Sequence, residues 1–241
     1  MQPDPPAAPP PARVPRAVPP AHALAWFGEA MRLWKRGPAT YCGIAVVVLV
    51  ASIALEPVPV AGFVGANVLA PLLACGLLYG SLAADRGDRP RWAHLVAVFA
   101  APPSAIVTVV ASGLVPVAIE ALVAWQLAGV SLVLPLEGPT RISAAEVVAI
   151  YAAGIAASLP LTFVPMIALF DDERPGRAFA LSFRAFRLNV PALSSYAFVS
   201  FVLLLIGLAT SGIGLVLALP WIAAASYAAW KDIFGLAAGG K

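Results

Sequence analysis

The chain has 241 residues, of which 61% are hydrophobic and only 11% charged, with a net charge of +3. A soluble domain carries about 45–50% apolar and about 25% charged residues, so composition excludes an ordinary water-soluble core. The apolar runs last seventeen residues or more, and buried strands last about four to eight. An α/β protein rich in buried strands is therefore excluded too. The expected fold is all-α: a polytopic integral membrane bundle of six transmembrane helices, with about three amphipathic helices on the cytoplasmic side.

Met1–Pro20 contains nine prolines. Such a segment lacks the backbone donors for a helix and the apolar side chains for a core, so 1–20 is expected to be a disordered tail. Ala21–Arg36 follows as an amphipathic helix. Leu24, Trp26, Phe27, Ala30, Met31, Leu33 and Trp34 share one half of its wheel; His22, Glu29, Arg32, Lys35 and Arg36 share the other. Too short and too charged to span, it suits the membrane interface. The first long apolar run begins only after it, so no cleavable signal peptide is expected.

Ala39–Leu55 is the first predicted span, Glu56–Gly65 a loop without basic residues, and Ala66–Ala84 the second span. After the turn Asp85–Pro90, Arg91–Ala100 reads as a shorter amphipathic helix with Trp92, Leu95, Val96 and Phe99 as its stripe. The third span runs from Pro103 to about Ala124; 125–143 extends it, re-enters, or lies on the surface. Ala144–Phe170 is a fourth span, expected to kink at Pro160 and Pro165 because proline removes a helix hydrogen bond. Arg174–Asn189 is a third amphipathic helix, with Phe179, Phe183, Phe186 and Val190 as its stripe and Arg177, Arg184 and Arg187 on the far side. Pro191–Thr210 and Ile213–Trp230 are the fifth and sixth spans, joined at Ser211-Gly212. One membrane domain, 21–235, is thus expected, with 236–241 as a tail.

Cytoplasmic segments collect Lys and Arg. With both termini on one side, fourteen of the fifteen basic residues fall there and Arg141 alone falls opposite. This predicts six spans with both ends in the cytoplasm. Three units of similar plan, about 21–85, 88–171 and 173–234, suggest an internal repeat. The second and third open alike, at DRPRWAHLVAVF and ERPGRAFALSFRAF, and each even span closes with a proline and then Asp85, Asp171 or Asp232.

Little catalytic chemistry is on offer. Cys42 and Cys75 lie in apolar runs and read as packing residues. No metal-ligand spacing, phosphate loop or nucleophile–base pair is visible, so no catalytic residue, cofactor or metal is expected, and no nucleic acid. Glu120 lies within the third span, and an intramembrane carboxylate is a functional candidate. Arg32, Arg36, Arg177, Arg184 and Arg187 are candidate contacts for anionic lipid headgroups. Ser194, Ser195 and Ser200 read as helix-packing hydrogen bonders.

LSFRAFRLNVPAL, a following apolar pair and SYAAWKDIFG, with Asn189, Pro191, Asp232, Ile233 and Phe234, resemble a family of uncharacterised proteobacterial inner-membrane proteins. The plan is more distantly similar to the membrane domains beside glycerophosphodiester phosphodiesterases, without their catalytic domain. The resemblance covers mainly the last 80 residues and implies a bacterial inner membrane; no functional residue carries over. The leading expectation is a non-enzymatic scaffold or envelope-maintenance factor in the lipid bilayer. The alternative is a transporter or lipid-handling protein, favoured if Glu120 and the polar residues of the fifth span converge on one cavity.

Overall fold

The computed structural model describes residues 14–55, 61–132, 142–171 and 173–235. The expectations for 1–13, the loop 56–60, 133–141 with Arg141, and the tail 236–241 lie outside the described residues. All regular structure among the described residues is helical. In chain order the elements are α1 (His22–Trp34), α2 (Pro38–Leu55), α3 (Ala61–Asp85), a 3-10 helix Trp92–Ala100, α4 (Pro103–Ala128), α5 (Ala144–Ser158), a 3-10 turn Leu159–Leu161, α6 (Val164–Phe170), α7 (Pro175–Leu188), α8 (Val190–Ala209) and α9 (Leu215–Ile233).

Local chemistry sets the boundaries. Proline occupies the first or second position of α2, α4, α6, α7 and α8, where its missing N–H is not needed. α5 opens on a capping box, in which the Glu146 amide donates to Ser143 Oγ at 3.2 Å and the Ser143 amide donates to Glu146 Oε2 at 2.6 Å. α4 continues through Ala128 and stops at Gly129, which takes the left-handed φ of 64° that glycine adopts without a steric cost. This settles the part of 125–143 that can be described: it first extends the third helix.

Five stretches are long and apolar enough to cross a membrane: α2, Gly65–Asp85 of α3, α4, the run Ala144–Phe170, and α8. α9, expected as a sixth span, is not among them, because Pro220, Trp221, Tyr227, Lys231 and Asp232 dilute its apolar character. It is instead the most enclosed helix. Ala218, Ala224, Ala225, Ala228 and Ala229 are buried along it, and such small residues let α1, α2, α3 and α8 pack closely around it. The outer surface carries Val46, Val50 and Ile53 on α2, Leu114 and Leu122 on α4, and Phe198, Val202 and Ile206 on α8, all exposed. An apolar belt of this extent suits hydrocarbon as solvent rather than water.

The short helices depart from the sequence reading. α1 packs its Ala23, Trp26, Phe27, Ala30 and Leu33 face into protein. It runs alongside α9: His22 meets Asp232, Phe27 stacks edge-on to Trp221, and Met31 and Trp34 flank Leu217. That path follows fifteen residues of α9, about 22 Å at 1.5 Å per residue. α1 therefore lies along α9 rather than crossing it.

Arg91–Ala100, expected as an amphipathic α-helix, is a 3-10 helix of nine residues. Runs this long are uncommon. It is held by close tertiary contact, since a Cβ on Gly76 of α3 would lie 2.8 Å from Leu95 Cα and 3.1 Å from the His94 carbonyl oxygen. Trp92, Val96 and Phe99 of the expected stripe remain exposed.

On α7 the buried stripe is Ala178, Ser182 and Ala185, continued by Asn189. The phenylalanine stripe does not form the packed face: Phe183 and Val190 are exposed, and Phe179 and Phe186 only flank the core. Small residues win because α7 must approach the break between α5 and α6 closely. There the Ser182 hydroxyl donates to the Pro160 carbonyl at 2.8 Å and accepts from the Phe163 amide at 3.2 Å. The predicted kink is therefore real, and α7 satisfies the backbone it exposes.

Residues 14–20, expected to be disordered, are extended and tied down. The Arg16 amide donates to the Ile233 carbonyl at 2.8 Å, and the Val18 amide donates to Asn189 Oδ1 at 2.7 Å. Proline density rules out a helix there, but not an extended strand whose remaining N–H groups find side-chain and helix-end acceptors.

Candidate functional site

Two regions collect the polar side chains of the described residues. The first is a hub where the C-terminal ends of α3 and α9 meet α1. Asp85, at the end of α3, accepts from Lys231 Nζ at 2.6 Å on both oxygens and from the Tyr227 hydroxyl at 3.1 Å. Arg32 reaches Asp85 at 3.4 Å while pairing with Glu29. The Asp85 and Lys231 side chains are only 8% and 12% exposed. Charges this sheltered must be paired, because an unpaired one costs several kcal/mol.

Asp232, one residue on, accepts from Arg16 at 2.9 Å, His22 Nδ1 at 2.7 Å and Trp26 Nε1 at 3.0 Å. Burial raises its pKa, but the hydrogen bonds from His22, Trp26 and Arg16 outweigh burial and hold it below the ordinary aspartate value of 3.8. A carboxylate with a lowered folded pKa adds stability above the unfolded value and loses it as pH falls through the folded one. The wild type is therefore expected to unfold at a higher temperature than Asp232→Asn near neutral pH. The two melting curves converge as pH falls below the ordinary aspartate range and Asp232 takes up its proton in the folded state.

The second region is a partly open cavity of about 370 Å³ between the helices. It is walled by α3 (Pro71, Cys75), α4 (Ser112, Pro116), the α5–α6 run (Ser158, Thr162, Pro165), α8 (Tyr196, Ser200) and α9 (Ala223, Ser226). Prolines and small residues make the space, since Pro71 and Pro116 each interrupt the regular ladder of their helix and Pro165 stands at the start of α6, just after the break. The volume falls in the range of small-molecule pockets, about 300–1,000 Å³. Among the described residues no charged side chain lines it. Cys75 is a free thiol on its wall, donating to the Pro71 carbonyl at 3.2 Å.

The residues singled out from sequence distribute unevenly over these regions. Arg32 joins the hub. Arg177 pairs with Glu173 at 3.1 Å. Arg36, Arg184 and Arg187 are exposed and carry no ion pair among the described residues. Glu120 does not reach the cavity. It is half-buried on α4 against Gly154 of α5, where a Cβ would lie 1.8 Å from its Oε1. Pro116, one turn earlier, lines the cavity in its place. Of the three serines in α8, Ser194 and Ser195 are exposed and Ser200 faces the cavity. Glu120 and the polar residues of the fifth span thus do not converge on one cavity; of Glu120 and these serines, Ser200 alone lines it among the described residues.

Sequence reasoning missed the hub pairing of Asp85 with Lys231 and the role of Asn189. The available signals were the aspartates closing the even spans and the Asn-x-Pro step. It also missed the hydroxyl set of the cavity, which was visible only as single serines and a threonine in four different helical runs. No family model, curated protein or solved structure matches the chain.

Proposed function

We propose that the protein is an integral membrane protein of the lipid-handling class, which holds a lipid-like molecule in the cavity between α3, α4, α5–α6, α8 and α9. The observation that carries this reading is the cavity itself: an uncharged, mostly apolar space within a bundle whose outer surface is apolar. Hydrocarbon enters such a space without a desolvation cost, whereas an ion or sugar would leave its polar groups unmatched.

In this reading α9 is a sixth span, shielded by its neighbours and so free to be less apolar. Both termini lie in the cytoplasm of a bacterial inner membrane. The gathering of Arg16, Arg32 and Lys231 with Asp85 and Asp232 at one end of the bundle supports that threading. The 3-10 helix and the exposed arginines of α7 then form part of a basic collar at the headgroups. The three-unit repeat and the resemblance to proteobacterial inner-membrane proteins belong to the same proposal. A second reading, the scaffold or envelope-maintenance factor, draws on the hub, whose charges act as struts between helix ends.

Native mass spectrometry of the full-length protein in mild detergent separates the two. The lipid-handling reading expects a retained lipid that Ala223→Phe, which puts a ring into the cavity, displaces while the delipidated proteins melt alike. Equal lipid retention by both proteins would leave the scaffold reading.

A further inference from the structure

The cavity wall is strongly biased toward hydrogen-bond acceptors. A hydroxyl has one proton to give, and five of the six hydroxyls on the wall give theirs to backbone carbonyls. Ser112 donates to Val109 at 2.8 Å, Ser158 to Ile155 at 2.8 Å and Thr162 to Ser158 at 3.2 Å. Ser226 donates to Ala223 at 2.8 Å and Tyr196 to Ile222 at 3.3 Å. Each keeps its oxygen lone pairs. Pro116 also offers no N–H to the Ser112 carbonyl.

Ser200 is the exception. It is 5% exposed, it lines the cavity, and its hydroxyl makes no hydrogen bond. The Tyr196 hydroxyl stands within reach of it, with its own proton committed to the Ile222 carbonyl. A buried hydroxyl left without a partner is costly, and it is uncommon in a finished core.

We infer that the cavity is built for a neutral lipid bearing a free hydroxyl, the chemistry of a diacylglycerol, with Ser200 donating to the ligand oxygen and the ligand hydroxyl donating to the acceptor-rich wall. This deepens the lipid-handling reading and rests on it. A charged headgroup is disfavoured, because no counter-charge among the described residues lines the site and burial of an unpaired ion is prohibitive. A wholly apolar chain would fit but leave Ser200 unpaired.

The test compares dioleoylglycerol with its O-acetylated derivative, which keeps the hydrocarbon and blocks the hydroxyl. Retention by the full-length protein in detergent is read by native mass spectrometry. The wild type is expected to retain the free-hydroxyl lipid about five- to tenfold better, the worth of one well-made hydrogen bond. Ser200→Ala lowers the ratio several-fold without weakening retention of the acetylated lipid, the remaining preference coming from the ligand hydroxyl's own donation to the wall. A ratio near one in the wild type, or an unchanged ratio in Ser200→Ala, overturns the inference. If Ala223→Phe then abolishes retention of both lipids, the cavity reading survives that failure. Retention of neither lipid overturns both readings. Thermal melting of ligand-free Ser200→Ala guards against a structural explanation. Removing an unpartnered hydroxyl leaves the melting temperature unchanged or raises it, and a fall would show that Ser200 serves packing alone.

Discussion

Asp85→Ala destabilises the protein by about 3–5 kcal/mol, the cost of leaving one member of a buried ion pair without its partner. Lys231 Nζ sits 2.6 Å from both Asp85 oxygens with its side chain 12% exposed, so it can recover little hydration when the carboxylate is gone. Tyr227 loses the acceptor of its hydroxyl at the same time. Denaturant-induced unfolding in detergent measures the loss. The double change Asp85→Leu with Lys231→Met distinguishes this cause from a simple packing defect. Replacing both partners by apolar groups of similar size is often neutral or stabilising, so the double variant should recover most of the loss. A double variant as unstable as Asp85→Ala would show that the hub acts through something other than charge pairing.

Asn189→Leu costs about 2–4 kcal/mol, and the loss is local. Asn189 is 1% exposed and makes three hydrogen bonds. Its Oδ1 accepts from the Val18 amide at 2.7 Å, and its Nδ2 donates to the Arg16 and Ala185 carbonyls at 2.9 Å each. Leucine fills the space but leaves the Val18 amide and the Arg16 carbonyl without those partners. Residues 14–20 therefore detach before the bundle unfolds. Hydrogen exchange at Val18 is expected to speed by a factor of about thirty or more, with the protection of α9 unchanged. Unaltered exchange at Val18 would mean that the contacts of Arg16 with Ile233 and Asp232 hold the segment alone.

These two sites show where the amino-acid pattern stops being informative. Asn189 stood out only as part of a resemblance, Asp232 as part of the same resemblance and as the closing aspartate of a repeat unit, and residues 14–20 only as a proline-dense tail. The three form one clamp across about 170 to 216 positions of sequence. Period and composition report on neighbours within a turn or two, so contacts at that separation leave no local trace. The packed face of α7 was hidden for a related reason. The largest apolar side chains mark an apolar face, but the depth of approach to a partner is set by the smallest ones. The break at Pro160 required Ala178, Ser182 and Ala185 to face inward.

By itself the sequence determined the solvent and the segmentation of this protein. Runs of apolar residues that long cannot be hidden in water, and proline, glycine and acidic caps stop helices by local sterics and hydrogen bonding wherever the chain goes. It also determined that the basic residues cluster on alternate connections. Only the tertiary structure decided that α9 is the enclosed pillar, that α1 lies along it, that Asp85 meets Lys231, and that Ser200 but not Glu120 faces the cavity. Those outcomes depend on which helices pack together and at what rotation. That choice is a balance of close approach by small residues and mutual satisfaction of buried polar groups, and it is made by the whole bundle at once.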